Sequence, residues 1–199
     1  LPIFKEIRNR QHSVLIIWRI DEDELFFKKE LPPDIFGLYS GIKSDLVRQQ
    51  KYAIRLIINQ ITGLWDLNYK VDGSPMIEKN YISISHCKNF ACVYYNNEKI
   101  GVDIEITDKR ILKIADRFLN QQEKYAFGKD NLQTLTLIWA AKEAIFKKYG
   151  GETAFFASCI TITDIQPGLL KASVKTSDFF AEESLCYEIF DTLVLVYTL

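Results

Sequence analysis

Two short segments carry residues whose types and spacing could do chemistry. In Gly101-Val102-Asp103-Ile104-Glu105, the two carboxylates alternate with Val102, Ile104 and Ile106. On a strand of period two they point to the same side, within reach of one hard cation. In Trp139-Ala140-Ala141-Lys142-Glu143-Ala144-Ile145-Phe146-Lys147, Glu143 and Lys147 are four apart and share one helix face. Three carboxylates and a lysine suit metal binding, proton transfer and phosphate contact. Each piece also has a plainer reading. Asp103 and Glu105 could be the solvent face of an edge strand, and Glu143 with Lys147 a surface pair worth roughly 0.3 to 0.5 kcal/mol. The setting favours chemistry, because residues 132–149 are apolar nearly all round, from Leu132, Leu135 and Ile138 to Ile145, Phe146 and Tyr149. Such a helix is normally buried, so its charged side lines a cleft.

The elements that must position these groups follow from periodicity and punctuation. Residues 13–20 read as a strand followed by an acidic turn at 21–24, and Pro32-Pro33 breaks the chain. Apolar residues recur at helical spacing over 44–62, with Ser44 placed to cap the start and Gly63 the end. A turn at Asp72-Gly73-Ser74-Pro75 precedes strands at 81–85, 90–95 and 100–106. Asp108 can cap a helix to about residue 119, and Asn120 with Glu123 makes a capping box for a helix to about 128. The long helix of 132–149 is stopped by Gly150-Gly151 and followed by strands at 158–163, 169–175, 186–190 and 193–198. Each half thus carries one long helix and several mainly antiparallel strands, an α+β chain with no residue-level repeat.

Composition narrows the classes. The 199 residues are 48% hydrophobic and 26% charged, ordinary globular material for one domain or two packed halves. A net charge of -1 gives no global attraction to nucleic acid or anionic membrane, so any anion site is a local cluster. Cys87, Cys92, Cys159 and Cys186 lack CxxC spacing and fit a reduced compartment. Lys5, Arg8 and Arg10 lead only to a short apolar run that Arg19 closes, which is not a signal-peptide layout, and no run approaches the ~20 residues that span a bilayer. The expectation is a soluble, cytoplasmic protein with no membrane or nucleic-acid partner.

Three segments in order, Ile82-Ser83-Ile84-Ser85-His86, Gly101 to Glu105 and Trp139 to Lys147, resemble the signatures of the 4′-phosphopantetheinyl transferases. The likeness runs from about Trp18 to Phe156, and the chain length resembles the larger, pseudo-dimeric branch of that family. It implies two similar halves, 1–100 and 101–199, each a mainly antiparallel sheet on a long helix, with a coenzyme A cleft between them, in a monomer. It implies transfer of 4′-phosphopantetheine from coenzyme A to a serine of an acyl or peptidyl carrier protein, with release of 3′,5′-ADP. Carried over by position, Asp103, Glu105 and Glu143 would surround Mg²⁺ or Mn²⁺. Glu143 would be the general base, Lys147 would stabilise the leaving group, and Asp103 completes the catalytic set. His86, Ser85, Arg48, Ser74, Pro75 and Lys147 would contact coenzyme A.

The chain departs from the family where many members read Gly-Lys-Pro and this one reads Gly73-Ser74-Pro75, and where Cys87 replaces a serine after His86. Arg110, Lys113 and Arg117 recur at i, i+3, i+7 beside an apolar stripe; they are either a solvated basic face or a dock for an acidic carrier helix. Two other functions compete: a metal-dependent phosphodiesterase or nuclease, and an inactive coenzyme A binding module. Nuclease strands commonly want a lysine two residues past the second carboxylate, where this chain has Thr107.

Overall fold

The computed structural model describes residues 3–8, 13–77, 79–149 and 159–199. Its contacts divide the chain into two units, Leu1–Glu98 and Lys99–Leu199. The fold is α+β.

In the first unit the order is β1 (Ile3–Arg8), β2 (Val14–Arg19), α1 (Glu24–Glu30), α2 (Pro33–Gly37), α3 (Asp45–Thr62), β3 (Asn68–Tyr69), β4 (Pro75–Ile77), β5 (Asn80–Cys87) and β6 (Phe90–Asn96). The strands form one antiparallel sheet ordered β1-β2-β6-β5-β4-β3. Ser44 caps α3 by accepting the Val47 N–H, and Gly63 ends it in the left-handed region at φ 73°, which costs glycine nothing. The apolar face of α3, with Ala53, Ile54 and Ile57, packs on Ile16 and Trp18 of β2 and Val93 of β6.

In the second unit the order is β7 (Val102–Ile106), α4 (Arg110–Phe118), α5 (Gln121–Phe127), α6 (Leu132–Tyr149), β8 (Ile160–Gln166), β9 (Leu169–Lys175), β10 (Phe180–Phe190) and β11 (Leu193–Thr198). The antiparallel sheet runs β7-β11-β10-β9-β8. Ile138, Ala141 and Ile145 of α6 share a core with Ile160, Val194 and Val196.

The repeat that is invisible in residues is plain in topology. A strand (β2 or β7) leads through two short helices to an 18-residue helix (α3 or α6), and then to a meander whose last strand (β6 or β11) returns to pair with the first. The return pairs Trp18 with Ala91 in one unit and Asp103 with Val196 in the other.

Some elements differ from the sequence reading. The expected acidic turn at 21–24 leads into a helix the sequence reading did not give, α1, which begins at Glu24 with Asp23 as its N-cap accepting the Phe26 N–H; a seven-residue helix is too short to show a period. β1 has no counterpart in that reading, and β10 begins at Phe180, six residues before the expected start. There Glu182 and Glu183 pair with Ser173 and Ala172 of β9, so ladder bonds outweigh low strand propensity. The stop at Gly150-Gly151, the strand start at 158 and Phe156 lie outside the described residues. Among the described residues, no helix is long and apolar enough to cross a membrane.

Candidate active site

Among the described residues, β7 is the edge of its sheet and pairs with β11 alone. What lies over it is α6, and Gly101 sets how close. A Cβ built at Gly101 would fall 1.8 Å from the Ala144 carbonyl oxygen, so only glycine admits this approach of backbone to backbone. Thr198 at the end of β11 holds the spot, its Oγ1 accepting the Gly101 N–H at 3.0 Å and its own N–H donating to Gly101 O at 3.0 Å.

The close approach lays one row of α6 along β7. Trp139, Glu143 and Lys147 follow at i, i+4, i+8 and share a face. At one end the Trp139 indole Nε1 donates to Glu105 Oε1 at 3.0 Å. At the other, Lys147 Nζ donates to Asp103 Oδ1 at 2.7 Å and to Val102 O at 3.1 Å. Glu143 stands one helical turn from each. About 12 Å of helix thus converges on about 7 Å of strand, spanned by the long side chains at its ends. Lys147 turns to Asp103, 44 positions away, so it is part of a contact between elements rather than an isolated surface pair.

Asp103 is buried, at 4% exposure, and Glu105 and Glu143 are half-buried. Burial pushes the Glu105 carboxyl up from 4.5 to about 7, with Asp103 adding to the rise and the Trp139 N–H and Lys147 opposing it. Burial likewise raises Glu143, again with help from Asp103 and against Lys147. The carboxylates therefore feel one another's charge. Thr107, just past the end of β7, buries Oγ1 without a hydrogen-bond partner among the described residues and brings no cation to the place where a nuclease strand commonly carries lysine.

Among the described residues, no group of three or more His, Cys, Asp or Glu side chains stands close enough to hold a metal ion as arranged. Asp103 Oδ1 is taken by Lys147 and Glu105 Oε1 by Trp139. The donor set itself suits a hard cation: it is all oxygen, desolvated and mutually repelling, which a divalent ion would relieve.

The other sequence-predicted residues belong to the first unit. Ser85 and His86 lie near the end of β5, Ser85 buried and His86 exposed, as alternation requires. Arg48 is committed within its own unit, bonding Ile42 O at 2.6 Å, Asp45 at 2.6 Å and Glu24 at 3.2 Å, and it ties α1 to α3. Ser74 Oγ donates to Asp72 Oδ1 at 2.6 Å, and the Ser74 N–H donates to the same oxygen at 2.9 Å. Those bonds hold the Asp72 carboxyl below its ordinary value. Pro75 opens β4.

Residue types and spacing alone do not disclose the parts played by Gly101, Trp139 and Thr198, or the buried partnership of Lys142 with Glu123. The signal for Lys142 was present. A lysine on a helix that is apolar all round must be paired or solvated.

Residues 99–194 match the family model of the 4′-phosphopantetheinyl transferase superfamily. The match takes in β7, the three helices and almost all of the second unit's sheet, and so includes the row of α6 laid along Asp103 and Glu105. Over that segment, just under half of its length, the chain is similar to that superfamily. No curated protein matches it.

Proposed function

We propose that this protein transfers 4′-phosphopantetheine from coenzyme A to a serine of an apo carrier protein, acyl or peptidyl, with Mg²⁺ or Mn²⁺ as cofactor. The observation that carries the reading is the row of Trp139, Glu143 and Lys147 against Asp103 and Glu105, within the segment that matches the family. Asp103, Glu105 and Glu143 would hold the metal. When bound, the ion supplies charge neutralisation at the coenzyme A diphosphate.

The remaining roles fall to the chain's own groups. Glu143, raised by burial, is a better proton acceptor than an exposed carboxylate, and it takes the proton of the attacking serine hydroxyl directly or through a water. The serine oxygen bonds to the phosphorus that carries the pantetheine arm as the bond from that phosphorus to the 3′,5′-ADP oxygen breaks. Lys147, oriented by Asp103, stabilises the charge that develops on the leaving oxygen. Ser74, Pro75, Ser85, His86 and Arg48 would contact coenzyme A, Arg48 only by exchanging part of its bonding to Glu24 and Asp45 for a phosphate. Arg110, Lys113 and Arg117, all exposed on α4, would receive the acidic carrier.

The test is mass spectrometry of apo carrier proteins incubated with this protein, coenzyme A and Mg²⁺. A gain of one phosphopantetheine per serine, stopped by EDTA, is expected. No modification across fatty-acid and peptide-synthetase carriers, or cleavage of DNA or RNA instead, would contradict it.

A further inference from the structure

Beside the reactive row lies a pair of charges that the transfer chemistry does not use. Lys142 and Glu123 are both fully buried, at 0% exposure. Lys142 Nζ donates to Glu123 Oε2 at 2.8 Å and to the Phe118 carbonyl, at the end of α4, at 2.6 Å. Glu123 Oε2 also accepts the Asn120 N–H at 2.9 Å, and Oε1 accepts the Ile162 N–H of β8 at 2.7 Å. Asn120 completes the box, accepting the Glu123 N–H at 2.9 Å and donating to Thr161 Oγ1 at 2.8 Å. One lysine therefore joins α6 to the end of α4, the start of α5 and β8.

A buried ion pair is a poor device for stability, since packed apolar side chains do as well or better. What this one supplies is direction. α6 is apolar nearly all round, and the row of Trp139, Glu143 and Lys147 is itself half-buried, so apolar burial alone fixes its rotation about its own axis only weakly. The bonds from Lys142 fix it. Glu143 is the next residue, about 100° further round the helix, so the same rotation decides whether Trp139, Glu143 and Lys147 face β7.

We propose that Lys142 and Glu123 are positioning residues for phosphopantetheinyl transfer, a buried clasp that sets the rotation of α6 and aims Glu143 and Lys147 at Asp103 and Glu105. The proposal rests on the role given to Glu143 above.

Two variants test it. Glu123→Gln with Lys142→Met removes both charges together, so neither is left buried and alone. Glu123→Asp keeps the charges but is one methylene too short to reach Lys142, Asn120 and Ile162 at once, and it decides the matter if the double variant does not fold. Each is read by steady-state kinetics and, in the metal-free protein, by the NMR resonance of the Trp139 indole N–H, which reports its bond to Glu105 without any turnover. The expected result is a folded protein with kcat lower by about tenfold or more, a KM for coenzyme A near that of wild type, and a shifted indole resonance. A folded variant in which either kcat or the indole resonance stays at its wild-type value overturns the proposal. Wild-type protein that modifies no carrier would instead sink the functional reading, leaving the setting of the helix to be judged by the indole resonance alone.

Discussion

Glu105 shows how much one carboxylate can reveal. Its folded value of about 7 lies above its ordinary 4.5, so the folded state holds the proton more tightly than the unfolded chain does. Stability from this group is present below about pH 4.5 and is lost as pH rises towards 7, the reverse of a carboxylate held by a salt bridge. The metal-free protein should therefore unfold at lower urea at pH 7.5 than at pH 5, and Glu105→Gln should remove on the order of 1 to 3 kcal/mol of that difference. A pH dependence identical in wild type and variant would show that Glu105 is not strained. Residue types and spacing made Asp103, Glu105, Glu143 and Lys147 legible in the sequence, because alternation and i,i+4 spacing are local facts. Which carboxylate Lys147 would meet was not legible, since that depends on how two elements 44 positions apart come together.

At the scale of elements, the pairing of α6 with β7 is what brings four charged residues together into a candidate site, and Gly101 is its tightest point. Gly101→Ala forces backbone apart from backbone, so we expect a loss of at least the roughly 1 to 3 kcal/mol typical of overpacking, together with a larger proportional loss of kcat than of coenzyme A affinity. An alanine variant with wild-type melting temperature and kcat would show that the close approach is not required. The long helices, their caps and the strand alternation were readable because each is written in one continuous stretch. α1, the early start of β10 and the close approach at Gly101 were not. They are decided by a short capped turn, by ladder partners and by a neighbour distant in sequence.

At the scale of the whole molecule, a net charge of -1 hides an exposed basic stripe on α4. Arg110 is 82% exposed and meets Asp108 at 3.2 Å, a contact of little weight in water, so its charge is available to a partner. Reversing Arg110, Lys113 and Arg117 to Glu should raise the KM for carrier and leave that for coenzyme A near wild type. Wild-type rates should fall with salt, because exposed charges are screened beyond about 8 to 10 Å. Unchanged carrier kinetics in the triple reversal would make the stripe an ordinary solvated face. The proposed transfer activity is tested most directly at Glu143. Glu143→Gln keeps size and hydrogen bonding while removing the proposed proton acceptor and one of the charges that repel Asp103. The measurement is carrier modification by mass spectrometry alongside metal-free melting temperature, for wild type and Glu143→Gln. The account predicts turnover lower by about 10² or more, with melting temperature held or raised; near-normal turnover in the variant would contradict it.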